Sequence, residues 1–293
     1  MQSSRKNIKP PALVKQFFLF SFIFLATALT ARQIEETTFS YWNKPDAKIF
    51  YSLPDLIDED TVIIFIMHGA SRSAEKYIND WLPLAEKRNV VLIAPEFSKA
   101  AFPEYSYLMM SNNKGKILQD QSLYLTDTLG LLFDYFKARF KLSTSTFRLY
   151  GHSGGSQFVH RYLLLSNETR IDKAAMANAG FYTFVDDKIP YPFGIKNMNI
   201  SSERIEWFLR LKGGVFLGDA DNDPKHPSLP SMRKAKKQGS HRLERGTNFF
   251  NNLVQLGVEK RLPFRWRYQI VPEIAHDNAG MAFAASEFLL EDL

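Results

Sequence analysis

The residues with the most pointed chemistry lie together at Gly151-His152-Ser153-Gly154-Gly155. Residues 146–150 before them read as a buried strand, and residues 157–165 after them as a helix. A serine on so tight a strand-to-helix turn is thrust above the sheet edge, and the close backbone packing there calls for glycine around it. A serine hydroxyl is a weak nucleophile and needs a base held in place by an acid. Both are expected downstream, acid before histidine, each just past a later strand. After the apolar strand 214–217 comes Gly218-Asp219-Ala220-Asp221-Asn222-Asp223, and after strand 265–271 comes Pro272-Glu273-Ile274-Ala275-His276-Asp277. His276 is the only histidine beyond that last strand and is the candidate general base. Asp219, Asp221 and Asp223 compete for the part of the acid.

A tetrahedral intermediate also needs two hydrogen-bond donors aimed at its oxyanion. The backbone N–H of Gly154, next after the serine, is one. The other is expected from the loop Met67-His68-Gly69-Ala70-Ser71-Arg72, where the N–H of Ala70 is the candidate and that of Ser71 the second choice. The spacing of Asp219, Asp221 and Asp223 also fits the opening of a calcium loop. Pro224 stands where such a loop wants glycine, however, and Pro230 where it wants a bidentate glutamate. His68 and His152 lack a third ligand between them and read as loop supports rather than as a metal site.

These residues must be held by a sheet. Residues 61–67 (TVIIFIM) form a continuous β-branched and apolar run, as expected of a strand buried on both faces. A short helix over 81–88, a strand over 90–94, a helix within 122–140, a strand over 173–179, a helix over 247–256 and a last helix over 280–290 follow in alternation. A hairpin of 39–42 with 48–52 precedes them. The alternation predicts an α/β fold, a mostly parallel central sheet with helices on both faces.

The chain has 293 residues, 45% hydrophobic and 23% charged, which disfavours disorder, and no repeated motif points to a solenoid. The absence of cysteine excludes disulfides, thiolate metal sites and a cysteine nucleophile. The net charge of +6 owes four positive charges, and no negative one, to residues 1–28, so the basicity is largely a leader and no nucleic-acid partner is expected. In that leader Arg5, Lys6, Lys9 and Lys15 precede the uncharged apolar run 17–31, with Ala26-Thr27-Ala28 inside it. Fifteen apolar residues fall short of the ~20 needed for a membrane span. Residues 1–31 therefore read as a signal peptide, or else as an N-terminal anchor that would put the protein on a membrane. Residues 32–293 read as one domain working outside the cytoplasm, periplasmic or secreted.

Taken together, the HG after a strand, the GHSGG turn, the acidic loop and the late histidine resemble the α/β-hydrolase fold from about residue 61 to the end. His68-Gly69-Ala70-Ser71-Arg72-Ser73-Ala74 with Tyr77, followed by Ala94-Pro95-Glu96, is similar to the polyhydroxyalkanoate depolymerase and feruloyl esterase branch. In that branch the acid falls where Gly218-x-x-Asp221 places Asp221, and the resemblance implies a secreted esterase without a cofactor. The chain departs from the branch at Gly154, where G-x-S-A-G-G members carry alanine, and in its lack of disulfides.

Substrate features are less pointed. The excursion 181–200 follows a strand on the active-site side, and Phe181, Tyr182, Tyr191 and Phe193 are candidates to line an apolar acyl or aryl pocket; a loop packed by its own aromatics is the alternative. A basic run of Lys225, Arg233, Lys234, Lys236, Lys237, Arg242 and Arg245 reads as a solvated face, or as a collar attracting an anionic substrate. The sequence thus predicts a serine hydrolase cleaving carboxylic esters, small or polymeric, through an acyl-serine. A peptidase or acyltransferase would use the same residues, and a non-catalytic binding protein on the same scaffold is the alternative from another class.

Overall fold

The computed structural model describes residues 32–293; the expected leader lies outside them. Eight strands are formed: β1 (Glu35–Phe39), β2 (Ala47–Ser52), β3 (Val62–Met67), β4 (Val90–Glu96), β5 (Phe147–His152), β6 (Ile171–Ala177), β7 (Lys212–Gly218) and β8 (Arg267–Val271). They join one sheet in the order β1-β2-β4-β3-β5-β6-β7-β8. β1 pairs antiparallel with β2 and β2 antiparallel with β4, while every pairing from β4 to β8 is parallel.

Alternation along the central strands decides which layer each side chain enters. Ile63, Phe65 and Met67 face one core, which also takes in Phe147, Leu149, Val215 and Leu217. Ile64 and Ile66 face the other, together with Tyr150 and Phe216. Helices α2 (Thr128–Phe140), α3 (Gly154–Leu165), α4 (Ser202–Arg210) and α6 (Arg242–Lys260) cover the first face. Helices α1 (Ala74–Ala85) and α7 (Asn278–Leu289) cover the second, and α5 (Arg233–Lys236) is a single turn ahead of α6. Each fully buried Ile or Phe contributes about 1.5–3 kcal/mol of transfer free energy, enough in sum for a core without disulfide staples. No helix among the described residues is long and apolar enough to cross a membrane.

Several boundaries differ from expectation. Helix α1 begins seven residues before the expected 81–88, because Ala74, Tyr77, Ile78, Trp81 and Ala85 make one buried stripe, with Pro83 tolerated inside the last turn. Helix α4 was not expected at all. It is short, capped by Ser201 accepting from Arg204 N at 3.2 Å, and it supplies Phe208 and Leu209 to the core. The first strand of the hairpin is 35–39 rather than 39–42, since Trp42 turns back to donate to Pro45 O. Most consequential for the site, α6 begins at Arg242 instead of 247.

Candidate active site

Ser153 sits between β5 and α3 with φ 56° and ψ −117°, a conformation that costs an L-residue about 1–3 kcal/mol and persists only where the surroundings impose it. They do impose it. A Cβ on Gly155 would lie 1.9 Å from Met67 O of β3, so the helix can start this close to the sheet only on glycine. The Ser153 N–H donates to Ala177 O at 2.9 Å, fastening the turn to the end of β6.

The loop after β7 and the loop after β8 meet the serine from the other side. Ser153 Oγ lies 2.9 Å from His276 Nε2, and His276 Nδ1 lies 2.7 Å from Asp221 Oδ2. With an ionised carboxylate able only to accept, Nδ1 carries the proton and Nε2 is left to accept from the serine hydroxyl. Burial pushes the His276 imidazolium below its ordinary range; the bond to Asp221 pulls it back and neighbouring Arg242 pushes it down again. The three aspartates separate by partner. Asp219 accepts from Glu273 N at 2.7 Å and so braces the histidine loop, Asp223 accepts from Lys225 N at 2.8 Å, and Asp221 alone reaches His276.

On the oxyanion side, Ala70 N lies 3.0 Å from where a Cβ on Gly154 would stand. The two N–H groups proposed from sequence are therefore neighbours, and neither donates to another group of the described residues. A Cβ at Gly154 would therefore crowd the Ala70 N–H. The loop is held by Arg72, which donates to Phe97 O at 2.6 Å and Pro103 O at 2.9 Å, and by Tyr105, which donates to His68 O at 2.7 Å. His68 is a loop support: Nε2 accepts from Phe97 N, Nδ1 faces Gly69 O, and burial holds its pKa down to about 4. His152 is also buried, its Nδ1 3.0 Å from Tyr77 Oη and its ring 4.7 Å from that of His276.

Two expectations need correction. The aromatics of the excursion do not open as a pocket beside the serine. Phe181 stacks on Phe193 at 4.8 Å, Tyr182 on Phe249 at 4.4 Å, and Tyr191 donates to Tyr107 O; all four are buried because their rings are used to pack the loop onto the core. Phe193 borders a cavity of about 500 Å³ shared with Phe184, Ile189 and Pro190. The basic run is not one face either. Lys225, Arg233, Lys234, Lys236 and Lys237 are exposed, but Arg242 and Arg245 are each 1% exposed. Arg245 donates to Gly180 O, Pro230 O and Gly239 O, and burial lowers its pKa to about 10. Arg242 donates to Asp221 Oδ1 at 3.1 Å and to Ser228 Oγ at 2.9 Å.

Two positioning residues escaped the sequence reading. Arg242 holds the second oxygen of Asp221; in sequence it stands only as one member of the basic run, ahead of the helix expected from 247. Asn178, buried after β6, accepts from Gly218 N at 3.0 Å and donates to Ala275 O at 3.1 Å, tying the acid and histidine loops together. Nothing local distinguishes it from any loop asparagine.

No family model matches the chain, and no curated protein matches it. Solved structures do. Poly(aspartic acid) hydrolase-1 from Sphingomonas sp. KT-1 is 32% identical over 88% of this chain and 98% of its own, with a TM-score of 0.83. The poly(3-hydroxybutyrate) depolymerase LpqC from Bordetella parapertussis is 23% identical over 89% of this chain and 90% of its own, TM-score 0.80. A ferulic acid esterase is 15% identical over 89% and 98%, TM-score 0.57, and shares the fold. With this sheet, this topology and a relative that close over nearly its full length, the chain belongs to the α/β-hydrolase superfamily of serine hydrolases.

Proposed function

We propose that the protein is an extracytoplasmic carboxylic ester hydrolase that works through an acyl-serine. Ser153 Oγ attacks the ester carbonyl as His276 Nε2 takes its proton, and the N–H groups of Ala70 and Gly154 hold the oxyanion. Collapse breaks the bond to the leaving oxygen, which takes the proton from His276. Water then attacks the acyl-serine, gives a proton to His276, and the acid departs as Ser153 Oγ is reprotonated. Asp221 orients His276 and stabilises its imidazolium form.

The observation that carries this reading is the unbroken line Ser153–His276–Asp221, at 2.9 and 2.7 Å, ending on a strained serine. The basic, apolar leader supports export. Labelling of the purified protein by a fluorophosphonate probe, alongside hydrolysis of short and medium p-nitrophenyl esters, tests it. Labelling and turnover should both vanish in Ser153→Ala and in His276→Ala; a well-folded wild-type protein that neither labels nor hydrolyses would sink the reading.

A second reading, amide cleavage in an acidic polymer, is favoured by the likeness to poly(aspartic acid) hydrolase-1 and by the exposed Lys225, Arg233, Lys234, Lys236 and Lys237. The same acyl-serine would form, with His276 protonating a leaving amine. Release of amine-bearing fragments from poly(aspartic acid), weakening with added salt, would support it.

A further inference from the structure

The loop that carries the acid from β7 to α6 also carries a histidine with no part in the reaction so far. His226 is half-buried, and its ring stands edge-to-face with that of His276, the centroids 5.5 Å apart. Its Nδ1 is fixed from two directions: Ser228 N donates to it at 3.3 Å, and Ser228 Oγ lies 3.1 Å away. That hydroxyl already accepts from Arg242 Nη2 at 2.9 Å. A guanidinium can only donate, so the hydroxyl proton is directed to Nδ1. An imidazole whose Nδ1 accepts carries its own proton on Nε2. No group among the described residues bonds that Nε2.

The tautomer is thus set through Ser228 and Arg242 by the same buried guanidinium that grips Asp221. A neighbour of His276 held in one ring orientation, with a donor left over, is equipped to touch what His276 serves. His276 Nε2 hands its proton to the leaving oxygen, so the ring beside it borders the leaving portion of the substrate.

We propose that His226 is a specificity-determining residue, donating from Nε2 to a carbonyl or carboxylate oxygen carried by the leaving portion of the ester. The assignment rests on the acyl-serine reading above. It selects esters whose leaving alcohol bears a further oxygen acceptor over esters of plain alcohols. One hydrogen bond to such an acceptor, in a site shared with water, corresponds to about tenfold in discrimination.

The test compares 3-acetoxypropanoate with propyl acetate, which pass through the same acetyl-serine and differ only at the leaving end. In His226→Ala the ratio of kcat/KM for the two esters should fall about tenfold, chiefly through KM for the carboxylate-bearing ester. In His226→Gln, whose amide nitrogen extends a donor toward the place of Nε2, most of the ratio should return. A histidine that only packs against His276 would depress both esters together and leave the ratio alone. A ratio within about twofold of wild type in His226→Ala, in protein that still labels with fluorophosphonate, overturns the assignment while leaving the acyl-serine reading intact. Wild-type protein that neither labels nor hydrolyses either ester overturns that reading, and this assignment with it.

Discussion

Replacing Arg242 by methionine removes a buried cation of nearly the same reach while leaving Asp221 in place. In the native protein the two side chains are 1% and 2% exposed and 3.1 Å apart, so water cannot stand in for the lost partner. Deleting one member of a buried pair typically costs about 3–5 kcal/mol, because the survivor is left charged and under-bonded. Two details place the cost near the lower end. Asp221 keeps its bond to His276, and Arg242 Nε is itself buried without a hydrogen-bond partner, so the native pair is not fully compensated. A loss of about 3 kcal/mol lowers Tm by roughly 6–12 °C for a domain of this size, read by circular dichroism melting and by urea unfolding. The double variant Arg242→Met/Asp221→Asn removes the stranded charge and should regain about 1–2 kcal/mol over Arg242→Met, although turnover is lost with the carboxylate. The acid limb of kcat/KM should also move in Arg242→Met. The neutral imidazole is the form that accepts the serine proton, and Arg242 disfavours the imidazolium, so its removal shifts the limb to higher pH. A destabilisation below about 1 kcal/mol, or additive single and double variants, would refute the reasoning.

Other expectations follow from the same contacts. In wild type, burial outweighs the bond to Asp221 at His276, so the acid limb of kcat/KM should lie below pH 6.5; a limb at or above that value would contradict the environment described. Asp221→Asn should cut kcat by about 10⁴, since an amide facing Nδ1 no longer secures the working tautomer, whereas Asp223→Ala should stay within about twofold. Asp219→Ala removes the acceptor of Glu273 N and should cost roughly two- to tenfold in kcat while fluorophosphonate labelling persists; complete loss of labelling would make Asp219 more than a brace. Gly155→Ala puts a carbon 1.9 Å from Met67 O and should destabilise by about 3 kcal/mol or more, visible as aggregation or a collapsed melt.

The layers of this molecule were legible because their signals are local. Strands β3 and β4 declare themselves in runs of six and five consecutive apolar residues, and the turn around Ser153 in five consecutive letters, although the contact that demands Gly155 is with Met67 O on β3. Helix starts were less legible. Helix α1 hides its stripe behind Pro83, and α6 opens on Arg242, Glu244 and Arg245, which look like surface until the sheet is in place. The aromatic excursion failed for a related reason: a run of rings beside a site looks the same whether it faces a substrate or its own backbone.

By itself, then, the sequence determined the alternation of strands and helices, the turn on Ser153 and the late histidine, because each is written in a periodicity, a short run of letters or a place in the order of elements. Which aspartate faces His276 was decided only by the tertiary structure. That contact joins residues 55 apart, and its geometry depends on Asn178 tying together two loops that are remote in sequence. Whether an arginine is solvated or grips Asp221 was decided there too. The difference is not in the residue but in whether folding closes water off from it, as it does at Arg242 and does not at Lys236 or Lys237.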